Sequence, residues 1–399
     1  MRKQITSILL IAGTCIGGGT IALPMVLAKL GIFPSLAIMI FVWSLTYYTS
    51  LVSVELNLHL ERGLSLGPLG KVFSGNTAAA IGEISVKLLS YALLSVYIYG
   101  GASIIQKLID VYFHYNVSGI IVETCLAILS VIILLFPMKI ISTLNNIAFI
   151  IFAFIFLALI GVISSFVDLS NIPWIINPSA SNAASVVTVI FCSFGYQVIF
   201  HTLRDYCGKS AKVQRRIFFF GSLIPIFVYM LWTSSSLSIV FHLNQDFFMQ
   251  MAAGKIDVGD LVNELASISG LQNFKILIWW VTILAICTSI IGVGLGLSES
   301  LGLTLKSRVP MSWIRKFLAV LITIAPSYIV AAIVPKAFIR ILGFAGAILV
   351  ISAILLPIYL FFKAKIEKPY IRELKKWLLI ICAAAGIGIM AAEFFVNNC

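Results

Sequence analysis

Long stretches of this chain carry no Asp, Glu, Lys or Arg: Gln4–Ala28, Leu30–Val54, Ile140–Val167, Ile217–Gln245, Ile276–Ser298, Phe317–Pro335 and Ile341–Phe362. Apolar runs of about 18 or more residues read as transmembrane helices, because in lipid a helix satisfies its own backbone groups. With 61% hydrophobic and 11% charged residues over 399, the composition lies far from the roughly 45–50% and 25% of soluble domains. A water-soluble globule and a disordered chain are both excluded. The pattern predicts an all-α integral membrane protein with eleven spans, near 5–29, 33–58, 84–106, 119–137, 143–167, 183–203, 216–241, 274–303, 314–334, 338–362 and 375–396. Span 4 carries Glu123 near its start.

The net charge of +12 resembles a nucleic-acid footprint until its positions are read. With the N-terminus in the cytoplasm, 21 of the 27 Lys and Arg residues fall on the cytoplasmic side, from Arg2 and Lys3 to Lys375 and Lys376. Lys29, Lys107, Lys255, Lys275, Lys336 and Arg340 fall outside. That bias is the positive-inside signature. It implies a multi-pass membrane protein with Cys399 outside, whose charge records orientation and no nucleic-acid partner. Arg2-Lys3 before an apolar run resembles a signal peptide, and Ala12-Gly13-Thr14-Cys15 a lipoprotein site. Thr14 stands where Gly or Ala is wanted and no hydrophilic domain follows, so span 1 is expected to stay uncleaved. The seven cysteines have no paired spacing, so neither a disulfide frame nor a metal site is indicated. With no zinc-protease, Walker or nucleophile-elbow motif, the chain is not expected to be an enzyme and no cofactor is implied. A channel would usually carry a repeated pore-lining polar ring, and a sensor an output domain; neither is found.

Between spans, His242–Asn273 is the sizeable exposed segment, either a short amphipathic helix over the outer face or a solvated loop. Gly63–Gly75 could hold a short cytoplasmic helix. Most membrane glycines permit close packing, and Gly292, Gly294, Gly296 and Gly302 in span 8, with Gly343 and Gly346 in span 10, fit that reading. Span 1 differs. Gly17-Gly18-Gly19 sits in mid-span with Pro24 just beyond. Three glycines cost about 3 kcal/mol of helix propensity relative to alanine, and Pro24 would be tolerated in the first turn of a second half-helix. Span 6 is interrupted at Ser193-Phe194-Gly195-Tyr196-Gln197. Breaks in spans 1 and 6 imply units of five spans; five is odd, so the second unit enters the membrane inverted, and paired interruptions mark a transporter's binding site. The freed N–H groups suit a carboxylate and the freed carbonyls an ammonium. Together they suit a zwitterion, an amino acid.

Gly13-Thr14-x-Ile16-Gly17-Gly18-Gly19-x-x-Ala22-x-Pro24, Ser193-Phe194-Gly195-Tyr196 and Leu203-Arg204-x-Tyr206 resemble the span-1 and span-6 segments of the hydroxy and aromatic amino acid permeases, within the amino acid–polyamine–organocation superfamily. The resemblance covers nearly the whole chain and implies the bacterial inner membrane. It implies the five-plus-five inverted repeat of leucine-transporter-like proteins plus a C-terminal helix, with repeats at 1–167 and 168–362 and the last span in 363–399. It implies that Gly17, Gly18 and Gly19 offer N–H groups to a substrate carboxylate. Carbonyls near Cys15, Ile16, Phe191, Cys192 and Phe194 would take the ammonium, and Phe191, Phe194 and Tyr196 would flank an aromatic side chain. Tyr91 in span 3 is a further candidate. Gln197 departs from the family, which often has His there, and His201 one turn on could substitute.

For coupling, ionisable groups inside the membrane are the first candidates. Glu55 closes a charge-free run and either carries a proton or pairs with His59 or a basic loop residue. Glu299 has the same two readings; Arg204 and Asp205 form either a cytoplasmic gate pair or a neutralised helix end. Sodium is the rival ion, with hydroxyl oxygens of Thr288 and Ser289 and carbonyls of the span-1 break as its ligands; span 5 has no Lys to replace it. The family resemblance favours a proton. The reading is a proton-driven importer of tyrosine or tryptophan working by alternating access, with a sodium-coupled or exchanging transporter as the alternative. Its partners are the small-molecule substrate and the lipid bilayer, and no protein partner is implied.

Overall fold

The computed structural model describes residues 2–165, 172–177, 179–268, 272–306, 309–334, 338–366 and 369–397. Arg308, Lys336, Lys368 and Cys399, used above for orientation, and the 167/168 repeat boundary lie outside the described residues. Among these residues every regular element is helical. Nine helices are long and apolar enough to cross a membrane, or ten if a bent pair is taken as one span. Gly119–Leu135, at 17 residues, falls just short. Each of the eleven expected segments is thus occupied by helix.

The first segment is α1 (Arg2–Cys15) and α2 (Gly18–Leu27), bent by 51° across Ile16 and Gly17. Then come α3 (Ile32–Leu58), the short α4 (Leu66–Ser74), α5 (Asn76–Phe113), α6 (Gly119–Leu135) and α7 (Met138–Ser165). The sixth segment is α8 (Ala180–Ser193), a 3₁₀ turn (Gly195–Ile199) and α9 (Phe200–Cys207). After α10 (Ala211–Leu243) the chain forms α11 (Gln245–Ala252) and α12 (Val258–Ile268). The remainder is α13 (Gln272–Leu305), α14 (Ser312–Ile333), α15 (Phe338–Val350), a π-helical turn (Ile351–Leu355), α16 (Leu356–Lys363) and α17 (Lys376–Asn397).

The broken helices lie together, α2 against α8 and α1 against the 3₁₀ turn, while α5 packs on α13 and α15, and α13 on α7. α1 and α2 pack on α10; α3 packs on α8 and α9. On the other side of α7, Ile147, Ile150, Phe154 and Leu157 repeat at helical spacing and are exposed. Such a stripe is costly in water and fits hydrocarbon. α5 runs past the expected span 84–106 at both ends, and its first turns pack on α4, where Cβ atoms at Gly67 and Gly70 would strike Glu83 and Ala78.

Segment 242–273 holds two helices. The apolar face of α12, with Val258, Leu261, Val262 and Leu265 buried, packs on α2, α5, α10 and α13. Its start is fastened to α5 at every turn: Tyr99 Oη donates to Asp257 (2.7 Å), Gly259 N donates to Ser103 Oγ (3.1 Å), and Lys107 pairs with Asp260 (3.2 Å). Pro24 lies in the second turn of α2, not the first as the sequence suggested. Its missing N–H frees the carbonyl of Thr20, and the indole of Trp232 donates to that oxygen at 3.0 Å.

Candidate functional site

The two breaks share one fastening. α1 stops at Cys15 and α8 at Ser193, each leaving end carbonyls without helical donors. The buried Tyr229 of α10 directs its hydroxyl at both, 2.7 Å from the carbonyl of Cys15 and 2.8 Å from that of Ser193. Its ring meets Phe194 edge-on, 5.3 Å between centroids. The separation at the break is too small for side chains on the glycines. A Cβ at Gly17 would lie 2.7 Å from Ser289 Oγ, and one at Gly19 would lie 2.8 Å from Ser193 Oγ.

Beside this junction lies a cavity of about 540 Å³, within the usual range of about 300–1,000 Å³ for small-molecule sites. Cys15, Ile16, Gly17 and Gly19 line it from span 1, Cys192, Ser193 and Gly195 from span 6, and Thr288 and Ser289 from α13. Tyr97 of α5 completes this end, its hydroxyl hydrogen-bonded to Ser289. The cavity continues toward the N-terminus of α1, past Leu9, with Lys87, Asn145, Asn146 and Ser300 in its wall. In the opposite direction Ala22, Leu23, Val26 and Leu27 of α2 are fully buried. Two spans of unlike residue content thus converge on one chamber. It offers first-turn N–H groups of α2 at one end and hydroxyls of α13 beside them.

The other sequence candidates sit elsewhere. Gly18 opens α2, next to the lining glycines. Phe191, Phe194 and Tyr196 are fully buried outside the cavity wall, Tyr196 packing on Phe218. Gln197 Nε2 donates to the carbonyl of Thr46 (2.8 Å) and to Thr49 Oγ1 (3.2 Å), tying the 3₁₀ turn to α3. Tyr91 turns to α14 and donates to the carbonyl of Ile322 (3.0 Å). Glu55 is fully buried, accepting from His59 (2.8 Å) and from the backbone N–H groups of Tyr370 (2.8 Å) and Ile371 (2.9 Å), so it fastens the segment before α17. Arg204 donates to the carbonyls of Asn57 (3.2 Å) and Leu60 and to Asp205 (2.7 Å), while Asp205 accepts from Gly63 N (2.6 Å). The pair joins α9 to the 57–64 link. His201 packs edge-on against Phe200, and Glu299 is exposed; neither lines the cavity.

Sequence reasoning missed Tyr97 and Tyr229, which have no local signal. It also passed over Asn145-Asn146, a visible polar pair in a charge-free run. Of the span-8 glycines, Gly294 does pack, with a Cβ position 2.9 Å from Leu134. Gly292 and Gly296 instead line the cavity, with nothing within 4 Å of where a Cβ would stand. The sequence could not separate the two roles because both want a small residue on the helix.

Comparison with known proteins decides the class. A family model described as the tryptophan/tyrosine permease family matches residues 1–390. The chain belongs to this family. It is therefore a multi-pass membrane permease and not an enzyme. Tyrosine-specific transport system 1 of Haemophilus influenzae is 28% identical over 405 residues, covering 100% of this chain and 98% of that protein. The low affinity tryptophan permease of Escherichia coli K12 is 28% identical over 373 residues, 91% and 87% of the two chains. Glutamine transporter 2 of Aliivibrio fischeri is 23% identical over 357 residues, 89% and 88%.

Proposed function

We propose that this permease is a secondary active importer of tyrosine, tryptophan or both across the bacterial inner membrane, working by proton symport and alternating access. The observation that carries this reading is the single cavity into which both broken helices open. The first-turn N–H groups at Gly18 and Gly19 hold the substrate carboxylate, and break carbonyls take the ammonium. The Cys15 and Ser193 carbonyls already accept from Tyr229, so they bind the ammonium as shared acceptors. Tyr97 and Ile16 flank the ring. Tyrosine and tryptophan are taken from the names of two relatives; the glutamine transporter among the others means that family membership alone does not fix the side chain.

The architecture we assign is the five-plus-five inverted repeat with α17 as an eleventh helix. Its support is that several of the helix pairings survive exchange of each span with the one five places on, although the packing of span 6 on span 10 has no equally close counterpart between spans 1 and 5. Spans 3 and 10 pack together, as do 8 and 5; spans 1 and 7 pack, as do 6 and 2; and span 3 packs on 8, which maps to itself. With the N-terminus cytoplasmic and the C-terminus outside, the cavity side is the cytoplasmic side. The arrangement is then the inward-facing state, closed outside by α2 and by the α12 fastening to α5. Glu55 and the Arg204–Asp205 pair act as anchors of the inner face.

Thr288 and Ser289 border the span-1 break and support the sodium-coupled alternative. Thermal stabilisation of the purified protein by each of the 20 amino acids tests the substrate assignment. Tyrosine or tryptophan is expected to raise the midpoint most, with sodium adding nothing. Stabilisation by glutamine and not by either aromatic, or only when sodium is present, overturns the assignment.

A further inference from the structure

Among the described residues, the mechanism above leaves two buried acids unused, Glu123 and Glu393. Glu393, near the end of α17, is 6% exposed and is the acidic residue of that helix. Thr188 Oγ1 of α8 donates to its Oε2 at 2.6 Å. Across from it, both carboxylate oxygens lie 2.5 Å from where a Cβ at Gly343 of α15 would stand, so only a glycine leaves room for the carboxylate there. One turn on, a Cβ at Gly346 would lie 2.1 Å from the Thr188 carbonyl. Helices α8, α15 and α17 thus meet at one point with the carboxylate wedged between them.

That point has leverage on the site. Thr188 lies in the last turns of α8 before the span-6 break, whose terminal carbonyl is held with that of span 1 by Tyr229. Leu342, beside Gly343 in the chain, lines the cavity, so the helix that seats the carboxylate also forms part of the chamber wall. Two other buried acids lack this position. Glu55 fastens the inner end of α3, and Glu123 lies on α6, which packs on α5, α7, α13 and α14 rather than on a broken helix.

We propose that Glu393 is the proton-carrying group of the transporter, a reading that rests on proton symport as the driving reaction. Ionised, its carboxylate accepts from Thr188 and holds the outer half of span 6 against α15 and α17. One proton taken from outside converts it to the neutral acid. Moving α8 then no longer strips a hydrogen-bond donor from a buried charge, so outward opening becomes accessible. The proton leaves to the cavity when the protein faces inward. The titratable or charged groups on the helices packed against α17 are Cys192 on α8, Arg340 on α15, and Tyr47, Tyr48 and Glu55 on α3, the last two fastened to the 370–375 segment. The π turn carries none. Lys29 approaches α8 at Ser185 Oγ, 3.4 Å away and three residues from Thr188.

The test is tyrosine uptake into liposomes holding the full chain, with the outside one pH unit more acidic. One proton per substrate gives up to tenfold accumulation for that gradient. Glu393→Gln is expected to lose accumulation and the pH dependence of uptake while still exchanging substrate downhill. Glu393→Asp keeps accumulation with a shifted pH midpoint. Thr188→Val removes a donor to the charged form and moves the midpoint to higher pH. If Glu393→Gln fails to fold, these last two variants decide. Accumulation by Glu393→Gln, or unchanged pH profiles in Glu393→Asp and Thr188→Val, overturns the proposal while leaving proton symport standing. A wild-type chain indifferent to the gradient overturns both.

Discussion

Gly292→Phe separates a transport pathway from a packing contact. Nothing lies within 4 Å of the Cβ position at Gly292, and the residue lines the cavity. A phenyl side chain fills roughly 130 Å³, about four waters' worth at ~30 Å³ each. That is roughly a quarter of the cavity of about 540 Å³. Replacing a mid-helix glycine contributes a few tenths of a kcal/mol in helix propensity, and the ring meets open space. Thermal stability is therefore expected to hold within about 0.5 kcal/mol. Uptake of labelled tyrosine or tryptophan should fall at least tenfold, because the ring occupies the level of the span-1 break. Gly294→Phe gives the opposite profile: its Cβ lies 2.9 Å from Leu134, and overpacking of this kind costs about 1–3 kcal/mol. Normal uptake by Gly292→Phe would refute the assignment of this chamber as the substrate path. A large loss of stability would refute the claim that Gly292 faces open space.

Three more expectations follow from single contacts. Gly17→Ala places a Cβ 2.7 Å from Ser289 Oγ; substrate affinity measured by ligand-induced stabilisation should drop about tenfold, and adding Ser289→Ala should recover part of it if the two positions couple. Trp232→Phe leaves the Thr20 carbonyl without the donor that answers Pro24, and should lower unfolding stability by about 1–3 kcal/mol. Tyr99→Phe combined with Lys107→Ala removes two of the three ties between α5 and α12; amide exchange in 257–265 should accelerate while that of α5 stays slow.

Much of the fold was legible because lipid imposes a strict rule on apolar runs. Helices occupy all eleven expected segments, and both breaks were visible, since Gly17-Gly18-Gly19 and Ser193-Phe194-Gly195 are costly residues in mid-helix. The site was only half legible. Backbone-lined positions such as Gly17, Gly19 and Ser193 could be named because the break itself exposes them. Side-chain positions could not, because the direction of a residue depends on the pitch of its helix after the break. Phe191, Phe194 and Tyr196 therefore point into packing, and the aromatics at the chamber are Phe149 on α7 and Tyr97, two turns from Tyr91 on α5. Pro24 was placed one turn early because its missing N–H is answered by Trp232, more than 200 residues away. Glu393 was passed over as an acid near the end of the last span, where its contacts with Thr188 and Gly343 are invisible without the packing of α8 and α15.

The central claim, proton-driven import of an aromatic amino acid, is tested most directly by uptake into liposomes containing only this protein. With an acidic exterior, labelled tyrosine or tryptophan should accumulate inside above its external concentration. A protonophore should abolish the accumulation, and replacing sodium with choline should leave it unchanged. The account is contradicted if neither amino acid accumulates, or if accumulation requires sodium and survives the protonophore.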